Sequence, residues 1–276
     1  MHRKGNVWLF MLLAYGFTWL FWIPEALISQ SIWQAPEWVI NYLASPFNVG
    51  PWGPLVAAIV MAFLAQGWAG VKALLARGFM VRLGKWWWII LLSFPVLIGG
   101  SLLIAIALGD RRPTFPALAE PIVLPVALVF IFFLGGPLQE EFGWRGYAFE
   151  HLRHKYNALM AAIIAGLMWG LWHLPLFFVP RAEFYYNRPI WGLLLTTVLV
   201  GIILAWFYAN TGGSIFATML GHAMFNWSNY VFPALGSDLA GIILFGLYFL
   251  VVGFIVWRDG KKHLTRKGMQ AILNVG

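Results

Sequence analysis

Two adjacent carboxylates, Glu140 and Glu141, follow an apolar run over residues 122–134, and Arg145 comes four residues after the second. Charged side chains within a membrane are costly, so residues of this kind are functional candidates. Residues four apart share a helix face, which predicts an internal ion pair between Glu141 and Arg145 that offsets the cost of both charges. Glu140 points about 100° away on the same helix and is the better candidate for chemistry.

Three further polar residues interrupt apolar segments later in the chain. His173 and His222 are the two of the six histidines that fall within apolar runs, and Asn226 follows His222 by four residues. This spacing places His222 and Asn226 on one helix face. A single buried histidine is often only a packed or hydrogen-bonded interior residue. The set as a whole is harder to explain in that way.

The depth of these residues in their helices tests whether they can meet. If the helix that carries Glu140 continues through a kink at residues 135–137, Glu140 lies roughly 20 Å from its cytosolic end. The same rise per residue puts His173 roughly 24 Å and His222 roughly 14 Å deep. These depths agree within the error of the helix ends. The sequence therefore predicts one inward-facing cluster of Glu140, His173, His222 and Asn226.

These residue types are suited to hydrolysing an amide bond with water. A carboxylate withdrawn from solvent can act as a general base near neutral pH, and a neighbouring imidazole can orient the same water molecule. An imidazole and a carboxamide on one helix face can stabilise a tetrahedral oxyanion. Two histidines and one glutamate with an open position also form a common catalytic zinc shell. The sequence leaves the metal-free and the zinc-assisted mechanisms open.

The elements that must position these residues are membrane-spanning helices. Of 276 residues, 61% are hydrophobic and only 10% are charged, which places the chain outside the range of soluble domains. At about twenty apolar residues per span, we predict an all-α polytopic fold with eight helices around an inward-facing catalytic cavity. The predicted spans are residues 7–28, 51–67, 86–109, 121–153, 157–179, 190–209, 213–232 and 239–257.

The charge distribution predicts the orientation of these spans. If both termini are cytoplasmic, 14 of the 18 basic residues fall in cytoplasmic segments, as the positive-inside rule requires. The net charge of +8 is therefore a topology signal, and we expect no nucleic-acid partner. We expect a multi-pass protein of a prokaryotic plasma membrane in preference to the endoplasmic reticulum. The chain shows no linker or internal repeat, which predicts one transmembrane domain over residues 1–276.

Small residues predict a close helix contact in the fifth span. Ala162, Gly166 and Gly170 recur every four residues on one face, a pattern that lets a neighbouring helix approach closely.

Several other hydrolytic chemistries lack their residues in this chain. There is no cysteine, and neither His-Glu-x-x-His nor Gly-x-Ser-Gly occurs. The three aspartates, Asp110, Asp238 and Asp259, lie near the ends of predicted spans, so a pair of intramembrane catalytic aspartates is also excluded.

Three motifs in order resemble those of the CAAX protease and bacteriocin-processing (CPBP, or Abi) family, which includes the type II CAAX prenyl endopeptidases. Glu140-Glu141-Phe-Gly-Trp-Arg145 resembles Glu-Glu-x-x-x-Arg, and His222 to Asn226 resembles His-x-x-x-Asn/Asp. The intervening Phe-x-x-x-His motif is matched at His173, with Trp169 in place of Phe. The motif-bearing core covers residues 121–232. The substitution at Trp169 keeps an aromatic ring and bears on the shape of the pocket more than on catalysis.

The resemblance implies an intramembrane endopeptidase that cleaves near the C-terminus of a membrane-associated protein or peptide, which can be prenylated. Glu140 would activate water together with His173, while His222 and Asn226 would bind the oxyanion. In the metalloprotease alternative, His173, His222 and Glu140 would hold Zn²⁺. Glu141 and Arg145 would be supporting residues. The expected partners are membrane lipid and the substrate protein.

Two other functions fit the same polar residues. A proton-coupled transporter could use buried acids and imidazoles as a proton relay, although the chain lacks the internal repeat and paired broken helices of many transporters. A bacteriocin-immunity membrane protein without catalytic activity is the third hypothesis.

Overall fold

A computed structural model describes residues 6–266, and within that range the secondary structure is helical, without β-strands. Among these described residues, seven helical segments are long and apolar enough to cross a membrane. The predicted class, an all-α multi-pass membrane protein, is confirmed. The seven segments are Val7–Ser29, Gly50–Phe79, Trp86–Ala107, Val123–Leu152, Ala158–Phe178, Ile190–Asn210 and Asp238–Asp259.

The predicted span at residues 213–232 is a shorter helix. It covers Ile215–Val231, and its 17 residues correspond to roughly 25 Å of helix. About eight helices, as predicted, therefore make up the transmembrane fold.

The α-helices are numbered here in chain order. They are α1 (Val7–Ser29), α2 (Glu37–Ala44), α3 (Gly53–Ala76), α4 (Trp86–Ala107), α5 (Pro116–Ala119), α6 (Val123–Leu134), α7 (Pro137–Gly143), α8 (Glu150–Leu152), α9 (Ala158–Trp172), α10 (Ile190–Asn210), α11 (Ile215–Val231) and α12 (Asp238–Asp259). Short 3₁₀ segments cover Gly50–Trp52, Arg77–Phe79, Leu174–Phe178 and Ala234–Gly236, and a π-helix covers Trp144–Phe149.

The long helices are apolar on all sides, as expected for elements that face lipid. In α4, Ile90, Phe94 and Ile98 recur every four residues and are buried, whereas Trp88 and Leu92 are exposed. Burial therefore follows the helix period although the residue types do not change between the two faces.

The chain forms two compact units. Of the described residues, the first unit contains 6–76 and 139–202. The second unit contains 77–138 and 203–266. Glu140 and His173 belong to the first unit, and His222 and Asn226 belong to the second. The single-domain organisation expected from the sequence stays a prediction.

The kink predicted at residues 135–137 is a break between α6 and α7. Gly136 has a φ of 113°, a conformation that glycine adopts far more readily than other residues. A Cβ atom added to Gly135 would lie 2.8 Å from Ile131 Cα, so a side chain there would collide with the preceding helical turn. Pro137 then opens α7, at the helix position that proline favours.

A second break interrupts α3. Gln66 and Gly67 have non-helical backbone angles, with a φ of 60° at Gly67, and the helix resumes after them to Ala76. The helical segment therefore extends beyond the predicted span of residues 51–67.

The close helix contact predicted for the fifth span is present between α9 and α10. A Cβ atom added to Gly166 would lie 2.7 Å from Val198 Cα and 2.8 Å from the Thr197 carbonyl oxygen. The absence of a side chain at Gly166 therefore allows the backbones of α9 and α10 to approach closely.

Candidate active site

Glu140 lies in α7 and is buried, with 5% of its surface exposed. Its Oε2 accepts a hydrogen bond from the indole Nε1 of Trp169 at 2.6 Å. A carboxylate in a membrane protein needs such partners because burial without them is costly. The residue predicted to be the base is therefore held by an N–H donor from α9.

The ion pair predicted between Glu141 and Arg145 is present. Arg145 Nη1 donates to Glu141 Oε1 at 2.7 Å, and both side chains are almost completely buried. The Arg145 guanidinium also lies over the Trp169 ring, with Cζ 4.6 Å from the ring centroid. Arg145 is part of the π-helix Trp144–Phe149, a widened turn of the kind often found at functional sites.

His173 directly follows the last residue of α9. The helix begins at Asn157, whose side chain accepts from the Met160 N–H at 2.9 Å, as N-capping residues do. Pro175, two residues after His173, disfavours further helix, since proline restricts the residue before it. His173 is buried, with 5% exposure, and takes its place at the C-terminal end of this helix.

The hydrogen bond of His173 selects its tautomer. Its Nδ1 lies 2.9 Å from the Trp169 carbonyl oxygen, and because a carbonyl only accepts, Nδ1 carries the hydrogen. In the neutral ring Nε2 then carries the lone pair and is the nitrogen able to accept a proton.

Side chains of α1 hold the last turn of α9 in the same unit. The Tyr15 hydroxyl donates to the Met168 carbonyl at 2.5 Å, and Trp19 Nε1 donates to the Trp172 carbonyl at 3.0 Å. Both carbonyls belong to residues that precede His173, and the carbonyl of Trp172 lies in the last turn of α9, where partners in a following turn are missing.

Tyr185 is a residue of this region that the motifs did not indicate. Its ring stacks on His173, with centroids 5.1 Å apart and planes 19° from parallel. Tyr185 belongs to the connection between the 3₁₀ segment Leu174–Phe178 and α10. Burial, together with the charge of Glu140, raises the pKa of the Tyr185 phenol above its ordinary value. The sequence offered no signal for it, because aromatic residues near span ends are usually membrane anchors.

In the second unit, α11 carries His222 and Asn226. Ser214 caps the helix by accepting from the Ala217 N–H at 3.0 Å. His222 is buried, with 2% exposure, and Asn226 Nδ2 donates to the main-chain oxygen of Gly135 at 2.9 Å. Asn226 therefore contacts the helix break that precedes the Glu-Glu motif.

The structure thus brings together Glu140, Glu141, Arg145 and His173 through Trp169 in one unit, and places His222 and Asn226 on one helix of the other. The union of Glu140, His173, His222 and Asn226 in a single site remains a prediction.

The zinc alternative requires His222 of the second unit beside Glu140 and His173 of the first, and it stays a prediction. Among residues 6–266, no three His, Asp or Glu side chains are grouped so as to hold a metal ion. A histidine that donates from Nδ1 to a main-chain carbonyl, as His173 does, is in the tautomer that can bind a metal through Nε2. No catalytic step is assigned to a metal.

Comparison with known proteins relates the chain to one family. Residues 122–228, which contain all three motifs, match the family model described as type II CAAX prenyl endopeptidase Rce1-like. A protein of the archaeon Methanococcus maripaludis named CAAX prenyl protease 2 is 28% identical, over 96% of this chain and 98% of its own length. The chain is therefore similar to the Rce1-like type II CAAX prenyl endopeptidases, both over its motif-bearing core and over nearly its full length.

Proposed function

We propose that the protein is an intramembrane endopeptidase that uses Glu140 and His173 to activate water. Its substrate is a membrane-associated protein or peptide with a prenylated Cys-a-a-X end, and the scissile bond lies near that C-terminus. The family match and the name of the archaeal relative support the substrate class. The observation that carries the proposal is the buried Glu140 carboxylate, which is hydrogen-bonded to the same residue of α9 that orients His173.

In the first step, Glu140 takes one proton from a water molecule as the water oxygen attacks the carbonyl carbon of the scissile amide. His173 Nε2 accepts a hydrogen bond from the same water, which directs its lone pair at the carbon. The selected tautomer supports this role, because Nδ1 is used in the bond to Trp169.

The attack moves the carbonyl π electrons onto oxygen and forms a tetrahedral oxyanion. We assign its stabilisation to the side chains of His222 and Asn226, which can donate hydrogen bonds from one face of α11. Asn226 has two N–H donors on Nδ2, so the bond to Gly135 leaves the second for the oxyanion. Protonated Glu140 then gives its proton to the leaving nitrogen as the C–N bond breaks, which restores the carboxylate.

Activity of purified variants on a fluorogenic farnesylated Cys-a-a-X peptide tests the proposal. Glu140→Gln keeps the shape of the side chain but removes the base, so we expect turnover to fall by several orders of magnitude. Glu150→Gln is the matched control, since Glu150 pairs with Arg153 at 2.8 Å and has no proposed catalytic role. Full activity of Glu140→Gln would refute the proposal.

Proteoliposomes separate hydrolysis from transport. An endopeptidase cleaves the peptide without a pH gradient, and its rate does not change when the gradient is imposed. Gradient-dependent flux without cleavage would instead identify a proton-coupled transporter.

A further inference from the structure

We propose that Trp169 is a positioning residue of the reaction, through the indole N–H that it donates to Glu140. The inference rests on the proposed function, since it requires Glu140 to be the base. In the family motif this position is phenylalanine, which has no N–H. Trp169 thus adds a polar contact where the motif predicts only an aromatic surface.

Three parts of Trp169 contact three of the candidate residues. The indole N–H donates to Glu140 Oε2 at 2.6 Å, and the main-chain carbonyl accepts from His173 Nδ1 at 2.9 Å. The face of the ring lies under the Arg145 guanidinium at 4.6 Å. A phenylalanine would keep the carbonyl and the ring face, so the N–H to Glu140 is the contact specific to tryptophan.

The N–H restricts the base in a way that matters for proton transfer. A glutamate carboxylate can rotate about its terminal bond with little resistance, and a charge-assisted hydrogen bond limits that rotation. The indole N–H of Trp169 on Oε2 therefore fixes the orientation of the carboxylate that takes the proton. Trp169 is itself buried, with 3% exposure, and is therefore a fixed donor.

The second unit provides a matched control for this bond. Trp206 Nε1 donates to Asp259 Oδ2 at 2.7 Å, and the Arg258 guanidinium lies over the Trp206 ring at 5.5 Å. A tryptophan N–H and an arginine on the ring therefore also accompany a carboxylate here, although Arg258 donates to Asp259 itself, and this carboxylate has no proposed catalytic role. We therefore expect loss of the indole N–H at Trp206 to affect folding but not the rate of the chemical step.

The test compares two replacements at Trp169 with one at Trp206. Trp169→Phe removes the N–H and the outer ring, and replacement of Trp169 by 3-benzothienylalanine exchanges only the N–H for sulfur. We expect both to lower kcat about tenfold or more, with KM for the farnesylated peptide within about twofold of the wild-type value. Trp206→Phe should leave kcat unchanged.

Each other outcome contradicts the inference in a defined way. A wild-type kcat in the benzothienyl variant would show that the aromatic ring of Trp169, and not its N–H, supports the reaction. An equal loss of kcat in Trp206→Phe would assign the effect to stability, which melting temperatures of all three variants measure directly. The Glu140→Gln variant separates failure of this inference from failure of the proposed function. If Glu140→Gln is inactive, the two outcomes above count against the role of Trp169 alone. If Glu140→Gln is active, the proposed function itself is refuted.

Discussion

Asn226 donates a hydrogen bond from Nδ2 to the main-chain oxygen of Gly135, 2.9 Å away and 91 positions earlier in the chain. The last carbonyls of a helix have no partner in a following turn, and α6 ends at Leu134. Asn226 therefore caps the end of α6 from α11. The third motif stabilises the break that precedes the first motif, in addition to its proposed role with the oxyanion.

Replacement of Asn226 should therefore reduce stability as well as activity. Asn226→Ala removes the donor to the Gly135 carbonyl, and we expect it to lower the free energy of unfolding by about 1–2 kcal/mol. Asn229→Ala is the control on the same helix, because Asn229 Nδ2 donates to the Phe225 carbonyl of its own helix, a carbonyl that also has the helical N–H. Equal melting temperatures of wild type and Asn226→Ala would exclude the capping role.

Removal of one partner of the Glu141–Arg145 pair should be more damaging than removal of both. Arg145→Met leaves the buried Glu141 carboxylate without its guanidinium, at an expected cost of about 3 kcal/mol or more. The double variant Glu141→Leu/Arg145→Met buries no charge there and should recover part of that loss. Chemical denaturation of both variants measures the difference. A double variant less stable than Arg145→Met would contradict this account.

Local periodicity explains why some of the site was predictable from sequence. The Glu141–Arg145 pair, the shared face of His222 and Asn226, and the break at Gly135–Gly136 all follow from spacing within one helix or from glycine at a turn. The close contact at Gly166 follows from residue size alone. Each of these features depends on a few neighbouring positions, which the sequence states directly.

The contacts of Trp169, Asn226 and Tyr185 could not be predicted in this way. Trp169 reaches Glu140 across 29 positions, and Tyr185 reaches His173 from an irregular connection. These contacts depend on the rotation of each helix about its axis and on side-chain rotamers. When every face of a helix is apolar, the spacing of hydrophobic residues does not predict either of them. For the same reason Trp169 was expected to affect pocket shape, and its hydrogen bond to the carboxylate was not foreseen.

A side chain at Gly136 should disrupt the connection between α6 and α7. Its φ of 113° is strained for any residue with a Cβ atom, so Gly136→Ala should destabilise the protein by about 1–3 kcal/mol and lower kcat. Gly100→Ala is the control, since a Cβ atom there would meet no atom within 4 Å and Gly100 lies inside α4. We expect it to be neutral or slightly stabilising. Thermal unfolding and peptide cleavage measure both effects.

Near neutral pH, Tyr185 should support catalytic activity through the stacking of its ring on His173. Tyr185→Phe keeps the stack on His173 and should retain most of kcat/KM near neutral pH, whereas Tyr185→Ala should lower it. The contrast between these two variants, measured by peptide cleavage, tests the role of the ring. Similar activity of Tyr185→Ala and the wild type would show that the stack has no role.

The phenol of Tyr185 gives a separate effect on stability at high pH. Its pKa is raised above 10.0 in the folded protein by burial and by the charge of Glu140. The folded state then holds the proton more tightly than the unfolded chain, so this contribution is complete below pH 10 and declines as pH rises further. The stability of the wild type relative to Tyr185→Phe should therefore fall above pH 10. A difference that stays constant with pH would contradict the burial of the phenol.

Metal removal decides between the two hydrolytic mechanisms. The described residues contain no group of three carboxylate or imidazole side chains arranged to hold a metal ion, and the proposed mechanism activates water with Glu140 and His173 alone. We therefore expect cleavage of the farnesylated peptide to survive dialysis against a strong chelator. Elemental analysis of the detergent-purified protein should give the same zinc content for the wild type and for inactive His173→Ala. Near-stoichiometric zinc that is lost in His173→Ala, with activity restored to chelated wild type by added Zn²⁺, would show that these residues rearrange to bind the metal.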